Sequence, residues 1–514
     1  FLPLFAIEYK LLQYTGNVFM YPLDDTFIHI ELAKNLAEHQ TWGIDPGEFG
    51  SASSSLLYSV ILAICFKIFS SHILIPFIIN SIAAVLLIIV VQRWLKKKGI
   101  GIIGQVIILV AMVFLMPLPI LIMSGMEHTL QCLFAFLFVF GFADWMEQSG
   151  GNENSKLPLS VLVYGMLLSA IRYEGIFLVA VACLALLYKK KLRQVLVLGS
   201  ISLLPVILFG IYAVAKGGFF IPNSVLVKSG GAGLSLGGLP GFISGILIEK
   251  LTTSKTITAL AIQRLLIILP VAYFIFRKDA KYSERLLLIV LSLAALLHLS
   301  FATTGWFYRY EAYLVLCSMM ILSLLVYHNR KKVFTNFTLP AKVLTGIALF
   351  FLFFPFVLRS SAAFTKAKQA GINIFDQQYQ MAQFLKQYYP NETFAANDIG
   401  AVSYYTNGRV IDLWGLATTE VARSKKANYW NASFLDEFSR KNATRLAVVY
   451  DSWFDSTLLK KWTKVAEWKI QNNVICGDDK VSFYAIDTSY VGRLRTNLQS
   501  FQQKLPLTVE VKYQ

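Results

Sequence analysis

Apolar runs of about the length a bilayer crossing needs follow one another through the first 359 residues, at about 1–22, 54–70, 72–92, 100–121, 128–146, 157–188, 194–215, 257–276, 286–304, 307–327 and 341–358. Such a succession fits only a polytopic α-helical membrane protein, because in hydrocarbon every backbone polar group must be paired within the segment that carries it. Composition agrees. The chain is 56% hydrophobic and 15% charged, far from the roughly 25% charge of soluble domains. The net charge of +17 would suit nucleic acid, but the basic residues stand in short blocks between apolar runs: Lys96 to Lys98, Lys189 to Arg193, Arg277 to Arg285, and Arg330 to Lys332. That is the positive-inside pattern, so these loops are expected in the cytoplasm and nucleic acid is not expected as a partner. The five cysteines are scattered without the paired spacing of a metal or redox motif.

After Arg359 the composition turns polar. Short apolar segments such as Thr393 to Ala396, Arg445 to Tyr450 and Val481 to Ile486 alternate with helix-like stretches such as Asp376 to Tyr389, predicting a soluble α/β domain over 360–514, of ordinary domain size. A transmembrane domain over 1–359, with a first outer loop at 22–53, completes the expected organisation. One apolar run too many lies between Asp25 and Lys96 for both to obey the charge rule, and 54–70 is expected to fall short of a full crossing. The 157–188 run is interrupted by Arg172 to Gly175 and is expected to split there into two helices. Gly230 to Gly241 reads as a glycine-rich loop, with a lid as its functional reading.

Polar residues at the ends of these runs form a short list: Asp24, Asp25, Glu127, Arg172, Glu174, Asn223, Lys228 and Arg309. Charge beside a bilayer is costly unless solvated, paired or used. Each member also has a plain structural reading. Either aspartate could cap the helix expected over 26–38, Glu127 could sit in a first turn, Arg172 and Glu174 could be an ion pair, and Arg309 could anchor an aromatic belt. Taken jointly, both signs of charge in one wet cavity suit an anionic substrate bound by Arg and Lys while a carboxylate takes a proton from an acceptor hydroxyl. A second carboxylate could hold a divalent cation.

The order of these residues resembles a known family. Asp24-Asp25-Thr26-Phe27-Ile28, Ala33 to Glu38, Pro46-Gly47-Glu48, Ser53 to Leu56, Ser124 to Glu127, Arg172 to Gly175, Pro222-Asn223-Ser224 with Lys228, Arg309-Tyr310, Asp398 to Ala401 and Val410 to Leu416 together resemble bacterial GT-C glycosyltransferases, in their arabinofuranosyltransferase-like branch. Two prolines of that pattern are replaced here, by Ser55 and Tyr173. The resemblance implies a GT-C fold of about 11 transmembrane helices and an inverting transfer of a hexose or pentose. The sugar would pass from a polyprenyl-phosphate donor to an envelope glycan, lipid or protein hydroxyl at the outer face of the bacterial cytoplasmic (inner) membrane. It implies Asp24 or Asp25 as base, Glu127 assisting, Arg172, Glu174, Asn223, Lys228 and Arg309 around the donor, and Asp25 with Glu127 around a possible Mg or Mn ion; no organic cofactor is expected. The rivals are a secondary transporter or lipid flippase, which also uses intramembrane charge and broken helices, and a non-catalytic scaffold.

Overall fold

Helices occupy every one of the apolar runs. The structure, a computed structural model, describes residues 2–149, 155–228, 257–335 and 338–514; the Gly230 to Gly241 loop lies outside them. Five helices among the described residues are long and apolar enough to cross a membrane: Ile75–Lys97, His128–Gln148, Leu192–Ala215, Tyr282–Phe301 and the Ala312–Arg330 part of Ala312–Thr335. Shorter apolar helices, Leu56–Phe69, Ile102–Leu115, Leu159–Ile171, Gly175–Tyr188 and Leu260–Phe276, pack among them.

Several ends differ from the sequence reading, each for a local reason. The first helix stops at Tyr14, because Gly16 and Asn17 turn the backbone into the left-handed region at φ 65° and 67°. The 157–188 run does split, at the extended residue Arg172. The last run does not end at 359: Leu339–Ile374 is one helix, since Ala, Lys and Gln beyond Arg359 keep helix propensity after hydrophobicity is gone.

Leu56–Phe69 runs beside the first-loop helix Asp24–His39. The Tyr58 and His29 rings lie 5.7 Å apart near one end, and Lys67 Nζ donates to Ala37 O at 3.4 Å near the other. Tyr21 then donates to Ile73 O at 2.7 Å. One helix, Ile75–Lys97, therefore leads from the end that carries Tyr21 to the end that carries Lys96 to Lys98. At that far end the basic blocks gather: Lys98 pairs with Asp144 at 2.8 Å, Lys191 stands over the Trp145 ring, and His328 bonds Lys98 O at 3.0 Å.

The C-terminal region holds one six-stranded mixed sheet. Its strands are β1 (Phe394–Ala396), β2 (Val410–Asp412), β3 (Leu446–Val449), β4 (Thr463–Lys469), β5 (Lys480–Ala485) and β6 (Glu510–Tyr513), in the order β2-β1-β3-β5-β4-β6. β2, β1 and β3 are parallel and the remaining pairs antiparallel. Strands buried on both faces need continuous apolar runs. The parallel strands comply: Phe394, Ala396 and Val448 join the core shared with the membrane helices, while Ala395, Ala447 and Val449 face a second core with Leu413 and Trp462.

Candidate active site

The first-loop helix carries the aspartate pair into a crowded seam. Its N-cap position is Leu23, without a side-chain cap, so neither aspartate has the capping role. Asp24 instead accepts the backbone N–H groups of Gly400 at 2.6 Å and Ala401 at 2.7 Å, opening the Gly400–Tyr405 helix, where a carboxylate suits orphan N–H groups. Glycine is required at 400, because a Cβ there would collide with the Asp24 backbone. Burial, and then the neighbouring Asp398 carboxylate, hold the Asp24 carboxyl well above the usual range against the pull of the two amides. The helix read as amphipathic is buried continuously from Thr26 to Ala33; Phe27 packs against Tyr404 and Tyr405 of the C-terminal region, with centroids 5.9 and 5.7 Å away.

Asp25 turns the other way. It pairs with Arg309 and lines a cavity of about 430 Å³. Arg309 is 1% exposed, and its Nε and Nη1 have no hydrogen-bond partner. It follows three consecutive left-handed residues, Trp306, Phe307 and Tyr308, at φ 42°, 64° and 62°, a conformation costing about 1–2 kcal/mol per residue. Glu311 holds that turn through Gly305 N at 3.0 Å, and Arg359 through Tyr308 O, with Arg359 bound to Glu311 at 2.8 Å.

Arg172 centres a second cluster. Its extended backbone lets it reach Glu174 two residues on, which a regular helix forbids, through Nε at 2.9 Å and Nη2 at 2.5 Å. Nη1 donates to Glu127 at 2.6 Å and Ser54 Oγ at 3.3 Å. His29 stands between Glu127, 3.6 Å away, and Ser53 Oγ, 3.1 Å away. A cavity of about 280 Å³ opens beside Arg172 and Tyr173, walled by Ile176, Phe177 and Phe301.

Tyr310 joins the clusters. Arg172 lies 5.2 Å and Arg309 5.0 Å from its ring centroid, and both cavities are lined by Tyr310 and Thr303. Asn223 sits at the rim: its N–H reaches Ser51 Oγ at 3.0 Å and its Nδ2 reaches Thr419 Oγ1 at 3.4 Å. Lys228 closes the short helix Asn223–Lys228, and its side chain lies outside the described residues. Two arginines, three acids and an asparagine thus meet at one end of the helices, opposite the basic blocks, with Asp24 on the adjoining seam. The two acids expected around a metal each face a guanidinium, and no group of three His, Cys, Asp or Glu suited to a metal ion occurs among the described residues. The donor set does not fit a divalent cation.

Sequence reasoning gave no role to His29, Asp398, Glu311, Arg359, Trp414 or Trp453. For two of them a signal was present. Asp398 and Trp414 lie inside the motifs 398–401 and 410–416, and Asp412 shapes the second by accepting the N–H groups of Trp414, Gly415 and Ala417 at 2.8, 3.1 and 2.7 Å.

A family model described as a domain of unknown function, DUF8728, matches residues 372–484. No curated protein matches the chain. Among solved structures, the crystal structure of ArnT from Cupriavidus metallidurans bound to undecaprenyl phosphate superimposes with a TM-score of 0.52 at 11% identity, covering 95% of this chain and 98% of that one. The chain has an ArnT-like fold. The likeness spans both the membrane helices and the C-terminal sheet.

Proposed function

We propose that this chain is an inverting GT-C glycosyltransferase that moves a sugar from a polyprenyl-phosphate donor to an acceptor hydroxyl at the outer face of the bacterial inner membrane. The observation that carries this reading is the junction at Tyr310. On one side, fixed guanidinium groups stand beside an apolar-walled cavity suited to a lipid-borne phosphate; on the other, the carboxylate Asp25 lines a cavity that also carries Asn397 and Asp398. The ArnT structure, bound to undecaprenyl phosphate, supports the donor class. The outer-face assignment is supported by the basic blocks at the opposite end, and eleven crossings follow if Leu56–Phe69 is left out and the split 157–188 run counts as two.

In this scheme Asp25 accepts the proton of the acceptor hydroxyl as its oxygen attacks the anomeric carbon. The bond from that carbon to the phosphate oxygen breaks, and polyprenyl phosphate leaves with the electron pair. Arg172 and the unpaired nitrogens of Arg309 bind the phosphate, with Lys228 as a further cation. The remaining nitrogen of Arg309, Nη2, keeps its contact with Asp25 and orients that carboxylate. Glu127 and Glu174 hold Arg172 in place, and Asn223 orders the rim. Asp24 docks the C-terminal domain and takes no proton. No step is routed through a metal. A transporter would place its site near the midplane, open alternately to both sides, whereas these groups sit at one end beneath the C-terminal domain.

The test separates the two aspartates. With undecaprenyl-phosphate sugars and native membrane acceptor, Asp25→Asn is expected to lower turnover about 10²–10⁴-fold, the usual share of a general base, with donor binding kept. Asp24→Asn is expected to lower thermal stability more than turnover per folded molecule. Full turnover in Asp25→Asn would remove the proposed base.

A further inference from the structure

The cavity beside Asp25 has a wall that the transfer scheme leaves unused. Asn397 and Asp398 follow the carboxyl end of β1, Trp414 follows that of β2, and Trp453 follows that of β3. The order β2-β1-β3 sends the chain to one side of β1 and brings it back on the other. In open α/β sheets the crevice outside the carboxyl ends at such a reversal is where ligands bind.

The chemistry of the wall is specific. Trp414 and Trp453 are half-buried and meet at 53° with centroids 4.6 Å apart, forming an angled aromatic corner. Trp306, 51% exposed, reaches the same cavity from the left-handed turn. Asn397 is 2% exposed; its Oδ1 accepts Tyr450 N at 2.9 Å, and its Nδ2 has no partner. A buried donor of this kind is rare unless a ligand or water completes it. Asp398 is held by Gln378 at 2.8 Å and Tyr450 at 2.9 Å. Three aspartates, and no Lys or Arg, occur among the described lining residues; the nearest cations, Arg309 paired with Asp25 and Lys425 3.1 Å from the Trp414 ring centroid, are outside that lining, so the wall itself presents acids rather than cations. Flat aromatic faces take the C–H faces of a sugar ring, and amide and carboxylate edges take its hydroxyls.

We infer that the C-terminal domain supplies a subsite for an uncharged sugar ring, so that the acceptor is a glycan or glycolipid rather than a protein side chain. The word acceptor rests on the transferase reading; sugar binding itself does not.

The experiment uses the full chain in lipid nanodiscs and saturation-transfer NMR with the methyl glycosides of glucose, galactose, mannose and arabinofuranose. At least one is expected to receive saturation. Its affinity is expected to fall about fivefold in both Trp414→Leu and Trp306→Ala, as loss of one aromatic contact implies; the half-exposed Trp306 can be removed without unfolding the chain. No signal from any of the glycosides, or unchanged affinity in both variants, overturns the subsite. Undecaprenyl phosphate is titrated into the same samples. Loss of the glycoside signal on saturation would place both ligands in one site and overturn the acceptor assignment. Glycoside binding without any undecaprenyl phosphate binding would sink the transferase reading and leave the subsite standing, whereas the reverse would sink the subsite alone.

Discussion

The cavity around Arg172 and the cavity around Asp25 share Tyr310 and Thr303, yet they are assembled differently. The first is made largely by the helical body: the break after Ile171 supplies Arg172 and Glu174, the start of the next helix supplies Phe177, and the end of Tyr282–Phe301 supplies Phe301. The second exists only where the first outer loop and the C-terminal sheet meet, with Asp25 on one side and Asn397, Trp414 and Trp453 on the other. Charge in the first is fixed by short-range ion pairing. Shape in the second depends on docking across hundreds of residues of chain.

That difference can be broken at either end. Arg172→Ala leaves Glu127 and Glu174 buried without their guanidinium, and removing one partner of a buried pair costs about 3–5 kcal/mol. A fall in melting temperature, with weaker undecaprenyl phosphate binding, is the expected outcome; an unchanged melting curve would mean that the cluster is wetter than its 5% exposed arginine indicates. Gly400→Ala acts on the second cavity alone. Overpacking against Asp24 should cost about 1–3 kcal/mol and loosen the C-terminal domain, read as faster amide exchange in the Gly400–Tyr405 helix, while undecaprenyl phosphate binding stays close to wild type. Equal loss of both would show that the cavities are not separable.

A third test is a pH dependence in the same docking seam. Asp45 accepts Val410 N at 3.1 Å, and burial pushes its carboxyl from 3.8 up to about 7. A raised carboxyl favours the folded, protonated form, so its contribution is complete below about 4 and disappears as pH rises through about 7. Wild type should therefore lose melting temperature relative to Asp45→Asn between pH 5 and pH 8. A constant difference between the two would refute the shift.

Much of the helical body was legible because a twenty-residue apolar run has few alternatives, and the interruption at Arg172 was legible because charge is rare inside one. The division of labour between Asp24 and Asp25 was not. The amides that bind Asp24 lie 376 and 377 positions away, and nothing in the local pattern distinguishes two adjacent aspartates. The first-loop helix misled for a related reason: its polar residues suggested water, but Thr26 bonds Ser124 O, His29 meets Ser53 and Asn35 bonds Gly43 O, all inside the protein. Glu311 and Arg359 went unassigned because their partnership spans 48 residues and serves a backbone conformation that the sequence Trp306-Phe307-Tyr308 does not advertise.

The helix from Leu339 to Ile374 has a mechanical corollary. Its 36 residues, at 1.5 Å each, make a post of about 54 Å, longer than the roughly 30 Å hydrocarbon layer it would cross. It continues directly into the π turn Phe375–Tyr379 and the helix Gln380–Tyr388. The sheet is therefore mounted on a continuous helix instead of trailing on a tether, and a bend of that helix at Pro355 would swing the sheet, with Asp24 bonded to it, relative to Arg172 like the hand of a lever.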